Sequence, residues 1–167
     1  KATWNLAGLN AVWDDLDFYK VPEYEHSTPA NMVPQVLERC KDRCLPYPSY
    51  ILRSGRGLLL VWLHDRQKPA MLQVWNAIQK RLHETFRDMG SDSRARPCTM
   101  SFGVAGTTKR DRKSGADSMI EVLWPAHADE IERYDFAMLR EFLPYTPKQV
   151  SQYKKEAARK HAAKVAA

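Results

Sequence analysis

The sequence predicts an α+β fold in which antiparallel strands and helices share one core. Strand and helix patterns follow one another in a mixed order, which is typical of α+β domains and not of a doubly wound sheet. A three-residue turn with two glycines separates two apolar runs and predicts a hairpin. The chain has 167 residues and is 44% apolar, which is enough for one sizeable core.

The first half of the chain carries clear strand and helix signals. Residues 9–18 form an apolar run rich in strand formers that ends in acids, so we expect a strand leading into a site. Thr28 followed by Pro29 is typical of an N-cap and a first helical turn. Apolar residues then recur at helical spacing. Two more strands are predicted at residues 49–54 and 58–63.

The second half begins with a predicted amphipathic helix over residues 69–89, in which six apolar residues step by three or four. Gly90 ends this helix. An extended run at residues 98–105 and a strand at 118–124 flank a basic loop at 106–115, so a second hairpin is expected there.

Two helices are predicted at the C-terminal end, over residues 130–143 and from Thr146 onward. We interpret residues 1–145 as one domain and residues 146–167 as a basic helix that starts a linker or a further domain. The chain carries a net charge of +6, and its last segment, with six basic side chains and one acid, supplies +5 of it. The domain itself is near neutral, so global basicity is no evidence that it binds nucleic acid.

Several classes of protein are disfavoured by the sequence. The longest apolar run, residues 57–63, is too short to span a bilayer, and no signal pattern is present, so we expect a cytoplasmic protein without a membrane partner. Three cysteines give no disulfide framework. The five histidines share no metal or triad spacing, and we expect surface positions for them: His26, His64, His83, His127 and His161.

Asp15 and Asp17 are the first candidates for chemistry. On a strand, side chains at i and i+2 project from the same face about 7 Å apart. Two carboxylates in that arrangement can converge on divalent cations, which offset the repulsion between them. Taken alone, the same string also fits a strand end with solvated acids, Asp14 included.

Ser54, Gly55, Arg56 and Gly57 form a second motif between two predicted strands. Glycines on both sides of an arginine let the backbone approach a ligand, so that amides and the guanidinium can face phosphate oxygens. An ordinary hairpin turn with an exposed arginine is the alternative. The motif is not a Walker loop, because no Gly-Lys-Ser/Thr follows.

A third acid and a basic loop complete the set. Asp92 follows the end of a helix and precedes basic residues, and the loop after residue 105 is dense in hydroxyl and basic side chains. By itself such a loop also fits a solvated turn. The candidates for contacts with nucleotide or nucleic-acid phosphates are Thr107, Lys109 and Lys113, and Arg94, Arg96, Arg110 and Arg112.

This combination of an acid-x-acid strand end, a Ser-Gly-x-Gly turn between strands and a later lone aspartate resembles the archaeo-eukaryotic primase (AEP) superfamily. Within it, residues 9–20, 54–62 and 92–107 are similar to the replication primases of plasmids and integrated elements. The resemblance covers roughly residues 9–145. It implies an α+β catalytic unit with a recognition-motif-like antiparallel sheet, packed against a small α/β lobe.

The resemblance also implies an activity, which is primer synthesis or extension on a single-stranded DNA template from NTPs or dNTPs. It assigns Asp15, Asp17 and Asp92 as ligands of Mg²⁺ or Mn²⁺. It places the Ser54–Gly57 turn on the incoming triphosphate, and Thr107, Lys109 and Lys113 on the nucleotide or template side. A helicase or initiator domain is expected elsewhere in the full-length protein. Superfamily members often carry a histidine after the glycine turn, where this chain has Leu58, Leu59 and Leu60.

Two other functions fit parts of the pattern. A non-catalytic replication-initiator module could bind DNA through the basic hairpin and tail, and it would be indifferent to loss of Asp17. A metal-dependent glycosyltransferase also uses an acid-x-acid motif, but the basic loop and the Ser-Gly-Arg-Gly turn fit it poorly.

Overall fold

The computed structural model describes residues 5–110 and 115–142. Within these ranges, one sheet contains β1 (Leu9–Leu16), β2 (Tyr50–Arg53), β3 (Leu58–Gln67), β6 (Glu121–Trp124) and β7 (Arg133–Tyr134). A separate two-stranded hairpin contains β4 (Thr108–Arg110) and β5 (Asp117–Met119). The α-helices are α1 (Pro29–Asp42), α2 (Leu72–Thr85) and α3 (Phe136–Phe142).

The main sheet is antiparallel along its order β1-β3-β2-β6. The short strand β7 pairs with β3 in parallel at Leu63 and His64. Helices mixed with a largely antiparallel sheet form an α+β fold, as the sequence predicts. The additional α/β lobe implied by the resemblance stays a prediction.

The elements of the first half lie close to their predicted positions. In α1, the Thr28 hydroxyl accepts the N–H of Asn31 at 3.2 Å, which caps the helix as its sequence predicts. β2 and β3 form the predicted hairpin, with Arg53 opposite Leu58. β1 ends at Leu16 rather than at residue 18, because Asp17 leaves the extended conformation (φ −85°, ψ 48°) and starts a 3₁₀ turn.

The core lies between one face of the sheet and helices α1 and α2. Alternate residues of β1 point into it, and α2 contributes the apolar stripe predicted from its spacing. Trp75 is fully buried there, and its indole N–H donates to the carbonyl of Ala11 at 2.7 Å. This contact fixes α2 across β1. The helix itself ends at Thr85, and a 3₁₀ turn over Arg87–Met89 completes the predicted helical span before Gly90.

Two predictions for the second half are confirmed with other bounds. The second hairpin is formed by β4 and β5; the extended run at residues 98–105 is not part of it, because the Met100 N–H turns back to the Pro97 carbonyl and Phe102 packs edge-on against Trp13. The helix predicted from residue 130 begins only at Phe136. Glu130 instead ends a 3₁₀ turn, where its carboxylate accepts the N–H of His127 at 3.2 Å.

The N-terminus of α3 is held by two carboxylates. Asp65 on β3 accepts the N–H of Phe136, and Asp135 accepts the N–H of Ala137, each at 2.7 Å. Side-chain acceptors for the first helical N–H groups fix where a helix starts. This is why α3 begins after β7 and not at the start of its amphipathic pattern.

His64 contradicts the expectation of surface histidines. It is fully buried against the Phe136 ring, with its Nδ1 2.7 Å from the carbonyl of Asp65. Burial lowers the pKa of His64, so it fills the core as a neutral ring. No helix in the described ranges is long and apolar enough to cross a membrane. The basic helix predicted for residues 146–167 lies outside those ranges.

Candidate active site

The end of β1 distributes three acids over the two faces of the sheet. Asp14 points into the core with Val12 and Leu16 and is only 3% exposed, whereas Asp15 faces the opposite side. Asp17 follows in the turn after the strand. Asp15 and Asp17 line the same cavity, although Asp17 does so from the turn and not from the strand on which it was predicted.

The Ser-Gly-Arg-Gly turn lies directly beside these acids. The Ser54 N–H donates to the Gly57 carbonyl at 3.0 Å, which closes the turn between β2 and β3. A Cβ at Gly57 would lie 2.5 Å from the backbone oxygen of Leu16. Only glycine therefore allows the turn to approach the end of β1 this closely.

A cavity of about 330 Å³ brings both motifs together with the β4–β5 hairpin. The Lys109 ammonium reaches from β4 and donates to the Ser54 carbonyl at 3.0 Å. The cavity is thus lined both by carboxylates and by hydroxyl, amide and cationic donors. Its lining residues are Asp15, Asp17, Tyr19, Ser54, Gly55, Arg56, Gly57, Lys109, Arg110 and Ser118.

Asp92 is held against the acids by main-chain hydrogen bonds. The Asp92 N–H donates to the Asp15 carbonyl at 2.8 Å, and the Asp17 N–H donates to the Gly90 carbonyl at 2.9 Å. Gly90 has φ +88°, and a Cβ there would meet the backbone of Asp17 at 2.9 Å. A second glycine-dependent contact therefore brings the distant Asp92 to the end of β1.

The pKa of Asp15 is affected by burial and by the neighbouring acids. Burial, then the charge of Asp17 and, more weakly, that of Asp92 raise the pKa of Asp15 to about 6, against the opposing effects of Lys109 and of a hydrogen bond from Ser54. A carboxyl in that position gains from a bound cation, because a positive charge favours its ionised form. On the core side, burial raises the pKa of Asp14 to about 8.

Basic and aromatic neighbours hold the other two carboxylates. Asp17 pairs with Lys20 and accepts the Tyr19 hydroxyl at 2.9 Å, and the guanidinium of Arg56 lies 4.3 Å from the centre of the Tyr19 ring. Asp92 pairs with the exposed Arg94 at 2.9 Å, and this hydrogen bond lowers the pKa of Asp92.

The candidate ligands for Mg²⁺ or Mn²⁺ are carboxylates, whose oxygens these ions prefer. The charges of Asp17 and Asp92 both act on Asp15. Over residues 5–110 and 115–142, no three Asp, Glu, His or Cys side chains are grouped closely enough to hold an ion as they stand. The carboxylates of Asp17 and Asp92 are turned toward Lys20 and Arg94. The chemistry of the three carboxylates fits such an ion, and Asp17 and Asp92 would have to leave these two ion pairs to bind it.

Comparison with solved structures finds a similar fold. The structure is similar to the AEP domain of the primase-polymerase (PrimPol) of cyanophage S-2L, with a TM-score of 0.55 and 19% identity, over 86% of this chain and 64% of that one. The two chains therefore share a fold.

The sequence is also similar to a replication protein of Clostridium perfringens, with 26% identity over 144 residues. The match covers 86% of this chain but 34% of the relative, so the chain spans about a third of that protein's length. No protein-family model matches the chain.

A second cavity, of about 420 Å³, adjoins the first and shares Asp15, Ser54 and Lys109 with it. Its remaining walls are mostly apolar, and Leu59 is one of them, within the leucine run where AEP members often carry a histidine. Hydroxyl groups line its rim. Its other lining residues are Leu52, Met100, Ser101, Phe102, Gly103, Thr107, Thr108 and Ile120.

The predicted basic residues are distributed unevenly around these cavities. Lys109 lines both cavities and Arg110 lines the polar one, whereas Thr107 lines the apolar one. Arg94 lies at the rim on Asp92. Arg96 lines a different cavity with Asn76 and Gln79, and its Nε donates to the Ser93 carbonyl at 3.0 Å. Arg112 and Lys113 lie outside the described residues.

Sequence reasoning missed two features of the site. Tyr19 contacts both Arg56 and Asp17. Its position two residues after Asp17 in the sequence could have indicated that it lies near the site. Phe102 and Ile120 form walls of the apolar cavity, but no local pattern brings them together, because they meet only through the fold.

Proposed function

We propose that this chain is the catalytic core of a DNA primase or primase-polymerase that joins nucleotides on a single-stranded DNA template with Mg²⁺ or Mn²⁺. One observation carries the proposal. Asp15 and Asp17 line a single cavity together with the Ser54–Gly57 turn and Lys109. The AEP-type fold and the similarity to a replication protein support it. We place the enzyme in the replication of a plasmid or another mobile element.

In this proposal, the acids and the donor groups have complementary roles. Asp15, Asp17 and Asp92 hold the divalent ions. Ser54, the amides of the turn and the cations of Arg56 and Lys109 bind the triphosphate of an incoming NTP or dNTP. The apolar cavity next to the turn accepts the nucleoside part, because it shares a wall with the polar one and offers apolar contacts to a base.

The residues orient a displacement at the α-phosphorus. A bond forms between this phosphorus and the 3′-oxygen of the growing strand, the bond to pyrophosphate breaks, and the proton of the 3′-hydroxyl passes to water. Divalent ions held by the three carboxylates would supply positive charge that assists the attacking hydroxyl and the leaving pyrophosphate. The turn and Lys109 keep the β- and γ-phosphates in place, which aligns the reacting atoms.

De novo synthesis on single-stranded circular DNA tests this function. Labelled nucleotides are supplied with Mg²⁺ or Mn²⁺, and the parent chain is compared with the Asp15→Ala/Asp17→Ala double variant. We expect short labelled products from the parent and none from the variant, while both bind the DNA equally. Equal product from both proteins would refute the assignment of these acids.

A non-catalytic replication-initiator module with the same fold is the second candidate. The pairing of Asp17 with Lys20 and of Asp92 with Arg94 favours it, since both carboxylates are already satisfied without a metal. Such a module binds DNA regardless of divalent ions and is indifferent to Asp17→Ala. No product from the parent, together with intact and metal-independent DNA binding, would select this function.

The match covers only 34% of the Clostridium perfringens replication protein, and we propose that this chain is part of a longer protein that adds a helicase or initiator domain. The measurement is synthesis by the full-length protein on duplex DNA compared with single-stranded DNA. If this chain primes only single-stranded DNA whereas the full-length protein also uses duplex DNA, the result would support the added domain.

A further inference from the structure

Asp14 stands out because it is an acid at a core position of β1. Its neighbours on that face are Val12 and Leu16, and its cross-strand partner is Leu60, all fully buried. Placing a carboxylate among apolar side chains costs free energy unless a partner satisfies it. The mechanism proposed above does not use Asp14, since it points away from the cavity that holds Asp15.

The partner of Asp14 is Ser91, whose hydroxyl donates a short hydrogen bond to Asp14 Oδ1. The Ser91 oxygen also lies 2.7 Å from Nδ1 of His83, near the C-terminal end of α2. The other carboxylate oxygen, Oδ2, is buried without a hydrogen-bond partner. Ser91 therefore connects β1 and α2 at one point through its side chain.

The backbone of Ser91 also contacts β1. It forms an isolated antiparallel bridge with Leu16. On either side of that bridge, the Asp17 N–H donates to the Gly90 carbonyl and the Asp92 N–H donates to the Asp15 carbonyl. Ser91 is thus the middle residue of the short segment that brings Asp92 alongside Asp15 and Asp17.

We infer that Asp14 is a positioning residue, which through the Ser91 hydroxyl fixes the register of residues 90–92 against β1 and so places the Asp92 carboxylate beside Asp15. The physical reason is that two main-chain hydrogen bonds alone specify a strand register weakly, whereas a side chain anchored in the core allows one register only. This inference deepens the proposed function, because it explains how an acid remote in sequence joins the pair on β1.

The test compares Ser91→Ala with Ser93→Ala, a matched serine two residues away that is exposed. The first readout is hydrogen exchange of the Asp17 and Asp92 amides in the metal-free chain. The second is Mn²⁺ affinity measured by electron paramagnetic resonance. We expect Ser91→Ala to speed both exchange rates and to weaken Mn²⁺ binding by about ten- to a hundredfold, and Ser93→Ala to match the parent.

Asp14→Leu gives an independent arm, because leucine suits the apolar core but cannot accept the Ser91 hydroxyl. Exchange at Asp92 as fast as in Ser91→Ala supports the inference. Parent-like exchange in Asp14→Leu overturns it, and so does a Ser91→Ala protein that equals Ser93→Ala in both readouts. If the parent binds no Mn²⁺, the proposed metal site fails, and the metal-free exchange rates still decide whether Asp14 positions Asp92.

Discussion

Replacing Gly57 with alanine tests whether close contact between the turn and β1 builds the site. The added methyl carbon would lie 2.5 Å from the Leu16 carbonyl oxygen, where ordinary contact starts near 3.4 Å. The obstacle is backbone of a buried strand, so the turn itself has to retreat by about 1 Å. Overpacking of this kind costs about 1–3 kcal/mol of unfolding free energy, and a displacement of about 1 Å in a positioning element reduces a rate about 100-fold.

Urea unfolding and primer synthesis measure the two effects of Gly57→Ala. The control is Val36→Ala, which removes fully buried side-chain volume from α1 and is expected to reduce stability without moving the turn. We expect both variants to lose stability, but only Gly57→Ala to lose most of its synthesis. A Gly57→Ala protein with the stability and activity of the parent would refute the steric reasoning.

Two further predictions follow from the charges around the cavity. The pKa of Asp15 is raised to about 6, so the folded chain binds the Asp15 proton more tightly than the unfolded chain does. The free energy of unfolding should therefore fall by up to about 3 kcal/mol as the pH rises from about 4 to above 6. Asp15→Asn should remove this part of the pH dependence in urea titrations, and superimposable profiles would contradict it. Lys109→Ala should raise the KM for nucleotide about tenfold, because Lys109 lines both cavities. Lys80→Ala, on an exposed face of α2, should leave the KM unchanged, and equal KM values for the two variants would argue against a role for Lys109.

Local patterns predicted the first half of the fold well. The apolar run of β1, the Thr28 cap of α1 and the glycine turn between β2 and β3 each express a preference of consecutive residues. The structure has all three at their predicted places. Prediction worked there because the side-chain pattern, the cap and the turn are each properties of neighbouring residues, even though β1 takes its hydrogen bonds from the distant β3.

The errors arose where distant residues decide the structure. Phe102 leaves the predicted strand to pack on Trp13, and Asp65 on β3 helps set the start of α3 at Phe136. His64 is buried because β3 is covered on that side by Phe136. None of these contacts has a signal in the local sequence, since each joins elements that are far apart along the chain.

The sequence by itself determined which residue types were available for the site: an acid pair at a strand end, a glycine turn with an arginine, and a lone later aspartate. Strand geometry also determined that Asp15 faces away from Asp14 and Leu16, whereas Asp17 reaches the same cavity from the turn after the strand. Only the tertiary structure decided that Asp14 faces the core, and that Asp92 joins the pair through Gly90 and Ser91. Those outcomes depend on which face of β1 is buried and on main-chain bonds across more than seventy residues of sequence, which no local preference specifies.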